Sequence, residues 1–83
     1  MVVEELDEPI RVRADFSAGA VTPKAFRRGT QLFHVEHIHA RWEDRLDAAK
    51  RYHFSIESGG NLFEIHLDSR DMSWRLDRVC LEG

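Results

Sequence analysis

Leu32-Phe33-His34-Val35-Glu36-His37-Ile38-His39-Ala40-Arg41-Trp42 is the stretch whose period decides the fold. Phe33 and Val35 alternate with polar neighbours as a half-buried strand does, while Val35, Ile38 and Trp42 also fit the three- and four-residue spacing of a helix face. Strand is the better reading, because β-branched and aromatic residues dominate and no N-cap precedes the run. Ile38, Ala40 and Trp42 then share the side of Phe33 and Val35 only if an extra residue is inserted near Glu36-His37. A β-bulge makes that shift, and it bends the strand as a small barrel requires.

The flanking segments carry the same period. Upstream, Ile10, Val12, Ala14 and Phe16 alternate with Arg11, Arg13 and Asp15, and Val21 to Arg28 is a second strand interrupted by Pro23, which suits an edge or an entry position. Downstream, Tyr52, Phe54 and Ile56 face inward, as do Phe63, Ile65 and Leu67, and Ser58-Gly59-Gly60-Asn61 joins the two runs as a tight hairpin. Glu43 to Ala49 is charged and reads as a long hairpin loop or a single helical turn. Trp74 and Leu76 open the closing strand, with a slip near Arg78 before Val79 and Leu81. The expectation is an all-β fold, a small antiparallel meander of five or six strands curled into a partly open barrel or roll. Residues 1–8 read as an acidic, flexible leader and residues 9–83 as a single β domain, which is all that 83 residues can support.

Phe26, Phe33, Trp42, Tyr52, Phe54, Phe63 and Trp74 are all assigned to the core. The pattern they build, from Pro23, Phe26, Phe33, Val35, Ile38 and Trp42 through Tyr52, Phe54 and Ile56 to Phe63-Glu64-Ile65, Asp68, Trp74, Leu76, Arg78 and Val79, resembles a bacterial family of small β proteins of unknown function. The resemblance spans Pro9 to Val79 and departs from the family at Arg28, where members commonly carry Trp, and at Gly29-Thr30, where the turn glycine is shifted by one. Some members resembling this chain are encoded beside, or attached to, inactive Y-family polymerase homologues of translesion synthesis. The resemblance therefore implies a connection to DNA repair.

The single cysteine, Cys80, allows no internal disulfide, and the N-terminus lacks the basic stretch and apolar run of a signal peptide, so a reducing cytoplasm is the expected compartment. No apolar run approaches the roughly 18 residues that cross a bilayer, so no membrane partner is expected. The net charge of −3 conceals an asymmetry, since Glu4, Glu5, Asp7 and Glu8 crowd the opening while Arg11, Arg13, Lys24, Arg27 and Arg28 face only Asp15 between Pro9 and Arg28. Those five cations form the candidate nucleic-acid contact.

A regular register that sets Trp42 opposite Tyr52 and Ile56 opposite Phe63 gathers His39, His53, His66 and Glu64 on the outward face, a donor set with the chemistry of a zinc site. Short metal-binding spacings such as C-x-x-C or H-E-x-x-H are absent, and no cofactor is expected. Enzyme chemistry is not expected either. His53, Ser55 and Glu57 share one strand face without an oxyanion hole, Gly59-Gly60 opens no helix, and Cys80 has no activating neighbour in sequence. The expected function is a protein-interaction module, monomeric or weakly dimeric, with an unidentified protein partner. The alternative is a nucleic-acid-binding accessory of DNA repair or translesion synthesis, which an exposed Trp42 or Trp74 would favour.

Overall fold

The computed structural model describes residues 1–82. Seven strands account for most of them: β1 (Val2–Ser17), β2 (Ala20–Arg28), β3 (Gln31–His34), β4 (His37–Leu46), β5 (Ala49–Ser58), β6 (Asn61–Asp68) and β7 (Ser73–Leu81). They form a single antiparallel sheet in the order β3-β2-β1-β7-β6-β5-β4. Among the described residues no helix is long and apolar enough to cross a membrane.

Two differences separate this sheet from the expected five or six strands, the first lengthening β1 and the second adding a strand. The acidic opening is not detached from the sheet: Val2–Ile10 pairs with β7, placing Val2 opposite Leu81 and Glu4 opposite Val79, and only from Arg11 onward does β1 turn to β2. Its alternation was hidden by a bulge, since two residues, Leu6 and Asp7, stand against the single Asp77 between the pairs Glu5–Arg78 and Glu8–Leu76. The histidine-rich stretch, in turn, is two strands, broken at Val35-Glu36, whose amides donate to the carbonyls of Lys24 on β2 and Glu57 on β5. These two residues carry the chain from one end of the sheet order to the other.

The sheet is not closed, and β3 and β4 are its edges. It is nevertheless strongly curled. Phe26 on β2 and Phe63 on β6 are three strand spacings apart, about 14 Å on a flat sheet, yet their ring centroids lie 5.2 Å apart. Arg41 on β4 donates from Nη1 to the Val21 carbonyl of β2 at 2.8 Å, although four strands separate those two in the sheet. The concave side holds Phe26, Phe54, Ile56, Phe63, Ile65, Leu67, Leu76 and Val79, with Phe33, Val35, Ile38, Tyr52 and Trp74 packed at its margin. Each fully buried aliphatic or aromatic side chain here contributes about 1.5–3 kcal/mol.

Local chemistry explains the joints. Gly59 and Gly60 take φ of 58° and 81°, the left-handed pair that a two-residue hairpin between β5 and β6 needs. Glu43–Leu46 extends β4 instead of forming a loop or helical turn, and the β4–β5 connection shrinks to Asp47-Ala48, both at positive φ. Pro23 is buried beside a bulge, where Lys24 is the additional residue between the pairs Ala14–Pro23 and Arg13–Ala25.

Candidate functional site

On the convex face, the β5–β6 register sets His53 directly opposite His66. Asp77 joins them because β7 bulges there: Ile65 pairs with Leu76 and Glu64 with Arg78, leaving Asp77 as the extra residue. His66 Nδ1 donates to both Asp77 carboxylate oxygens at 2.9 Å, and His53 Nδ1 lies 3.9 Å from Asp77 Oδ2. The imidazole side chains are only 8% and 11% exposed, so this polar cluster is sheltered although it lies outside the apolar core.

A second carboxylate orients the cluster from β4. Asp44 accepts a bidentate pair from Arg51, at 2.8 Å from Nε and 2.6 Å from Nη2, and a further bond from His53 Nε2 at 3.0 Å. Foremost the Arg51 hydrogen bonds, then those to His53, hold the Asp44 carboxyl down at about 2, against an ordinary 3.8. An ionised Asp44 selects the His53 tautomer that carries its proton on Nε2, which turns the Nδ1 lone pair toward Asp77. Trp42 covers the outside, its ring parallel to His53 within 6° at a centroid distance of 5.2 Å.

Only part of the expected histidine patch assembles. His53 and His66 come together, but His39 bonds Glu57 at 2.8 Å and Glu64 lies 3.5 Å from Arg78. The cause is the place of the β4 bulge. Its extra residue is His39 itself, between the pairs Ile38–Ile56 and Ala40–Ser55, so Trp42 opposes His53 rather than Tyr52. Arg41 consequently faces inward over the Phe54 ring, and Trp42 is 40% exposed rather than in the core. Asp44 and Asp77 escaped sequence reasoning. The slip recognised near Arg78 was the available signal for Asp77, because an extra residue in a bulge places two neighbours on one face.

The basic residues divide as well. Arg28 is held by Glu8 through two bonds of 2.8 and 2.9 Å, which lower the Glu8 carboxyl and raise the guanidinium, and Lys24 lies 3.9 Å from Asp15. Arg11 stands directly opposite Arg27, with Arg13, Leu32 and His34 bordering the same shallow hollow of about 340 Å³. Among the described residues, none of these three arginines has a carboxylate within ion-pair distance.

A larger open cleft, about 480 Å³, separates the start of β2 from the middle of β4, between Ala20, Val21 and Arg41, Trp42, Glu43. It runs beside the free edge of β4, which among the described residues pairs with β5 alone. Comparison with family models, with curated proteins and with solved structures finds no match.

Proposed function

We propose that the chain is a non-enzymatic protein-interaction module that takes an extended segment of a protein partner along the free edge of β4. The observation carrying this reading is that edge, ten residues long and open to the cleft on the β2 side, with exposed Trp42 flanking it. An unpaired row of backbone donors and acceptors is a template for strand addition, and an adjoining aromatic supplies the anchor that such recognition needs. The curl of the sheet, read as a partly open barrel whose seam lies between β2 and β4, sets the cleft beside that edge, and an added strand would displace the Arg41 bonds to Val21 and Thr22 that bridge it. A single half-buried thiol, Cys80, is in keeping with a cytoplasmic setting.

The test is comparative capture from native extract. A partner retained by the wild-type chain is expected to be lost with Trp42→Ala and kept with Val3→Ala, an exposed residue of β1 that pairs with Cys80 of β7 and not with the cleft. Retention by both variants would defeat the β4 reading.

The like-charged pair Arg11–Arg27 favours a second reading as a nucleic-acid-binding accessory, in line with the resemblance to proteins of translesion loci. Two guanidiniums opposite each other on neighbouring strands repel unless an anion joins them. The 40% exposure of Trp42 also favours this reading, although Trp42 lies opposite His53 on β4 and not on the β1–β2 pair that carries these arginines. Single-stranded DNA binding that falls steeply with salt and disappears on replacing Arg11, Arg13 and Arg27 would support this reading; absence of binding at ~50 mM salt would end it.

A further inference from the structure

We infer that His53, His66 and Asp77 form a binding site for a divalent transition-metal cation of the zinc type, with Asp44 orienting the first ligand from behind. The three side chains come from three adjacent strands, β5, β6 and β7, and their potential donor atoms all lie within 4.8 Å of one another. Two ligand atoms bound tetrahedrally to zinc at 2.0–2.1 Å stand about 3.4 Å apart. The Nδ1-to-carboxylate spacings of 2.9 Å at His66 and 3.9 Å at His53 straddle that value. Side-chain adjustments of less than about 1 Å bring the donors to a common centre.

The surroundings fit a metal site in a way that a row of solvated surface histidines does not. A ligating histidine commonly donates its other ring N–H to a carboxylate, which fixes the tautomer and raises the basicity of the ligating nitrogen. His53 makes that contact, from Nε2 to Asp44 Oδ1 at 3.0 Å, and Asp44 is itself clamped by Arg51. The arrangement leaves the His53 Nδ1 lone pair and the Asp77 carboxylate, two acceptors, facing one another. A cation between them satisfies both. At His66 the proton now shared with Asp77 moves to Nε2 of the same ring, so ligation through Nδ1 needs only the other neutral tautomer.

Charge supports the same assignment. Two neutral imidazoles and one carboxylate leave a single negative charge at the centre, and the cations that border it already have partners. Arg51 is paired with Asp44, while Arg75, opposite His66 across β6 and β7, donates from Nε to Asp7 Oδ1 at 2.6 Å and from Nη2 to the Asp7 carbonyl at 2.8 Å. Two nitrogen donors and one oxygen select zinc or its neighbours over calcium and magnesium, which take oxygen ligands. Three protein ligands leave a fourth position open for water or an incoming donor. Occupancy would tie β5, β6 and β7 together at the middle of the convex face, and it stands independently of the β4 reading.

Untagged full-length chain titrated with Co²⁺, with Zn²⁺ in competition, tests the site. Expected are one equivalent bound per chain, visible absorption of a four-coordinate cobalt centre, displacement by Zn²⁺, and a rise in melting temperature with Zn²⁺ but not with Mg²⁺. Asp77→Asn and His53→Gln should each abolish the absorption, Asp44→Asn should weaken binding about 10–100-fold, and His39→Gln and Glu64→Gln should leave it unchanged. Circular dichroism of each variant establishes that it is folded, and Asp77→Asn, nearly isosteric, keeps the test valid if His53→Gln does not fold. No bound cobalt, or binding indifferent to Asp77→Asn in a folded chain, overturns the proposal. So does loss on His39→Gln alone, which would assign the metal to the neighbouring His37–His39 pair.

Discussion

Asp44 joins β4 to β5 through one carboxylate, which accepts from both Arg51 and His53. Its carboxyl is held near 2, chiefly by Arg51 and secondarily by His53, while the unfolded chain restores the ordinary 3.8. A depressed carboxyl stabilises the fold at pH above the unfolded value and loses that contribution as pH falls through the window from about 4 to about 2. The melting temperature of the wild type should therefore exceed that of Asp44→Asn near neutrality, and the gap should close across this window. A gap that persists unchanged at pH 2 would show that Asp44 acts by packing rather than by charge. Because the side chain is 40% exposed, solvent screening keeps the effect modest.

The hairpin turns can be ranked by what their residues tolerate. Gly59-Gly60 occupies the left-handed region without strain, whereas Asp47-Ala48 has φ of 52° and 67° at the β4–β5 turn, where a Cβ costs about 1–2 kcal/mol per residue. Ala48→Gly should accordingly stabilise the chain by about 1 kcal/mol, and Gly60→Ala should destabilise it by a similar amount, both read from urea midpoints at constant slope. The opposite signs distinguish backbone strain from a general effect of flexibility. At β1 the relevant element is the first half of the strand. Removing residues 1–6 strips β7 of its β1 partners from Arg78 to Leu81, so amide exchange along that end of β7 should accelerate while β5 and β6 keep their protection.

For the molecule as a whole, stability rests on the concave side of β5, β6 and β7, where Ile56, Ile65 and Leu76 are fully buried. Ile65→Ala should cost about 2–5 kcal/mol, a large share of the roughly 5–15 kcal/mol available to a domain of ordinary stability, with unfolding followed in urea. The convex face of the same strands carries His53, His66, Asp68 and Asp77, so β6 is covered on both sides and its polar side is sheltered instead of solvated. This division puts core and candidate metal site back to back on one set of strands. The seam between β2 and β4 borders that centre, since core residues Val21 and Phe54 and the candidate ligand His53 all line its cleft, so a strand docked there would lie against both.

Much of the fold was legible in the period-two runs. Phe54, Ile56, Phe63, Ile65, Leu67 and Leu76 face the core as alternation requires, the glycine pair makes the predicted hairpin, and the β5–β6 register that unites His53 with His66 follows from it. That register was accessible because a two-residue turn between regular strands leaves no freedom to slip. Elsewhere the outcome depended on bulges, and a bulge moves every later side chain to the other face. His39 as the extra residue turns Trp42 outward and Arg41 inward, and Asp77 as the extra residue in β7 delivers a carboxylate to His66. Alternation can reveal that such a shift exists but not which residue bears it, because that choice minimises the energy of contacts with strands distant in sequence. The sequence by itself thus determined strand type, most of the core face and the pairing of two imidazoles. Only the tertiary structure, through the curl of the sheet and the positions of its bulges, decided which carboxylates complete the cluster and which edge stays open.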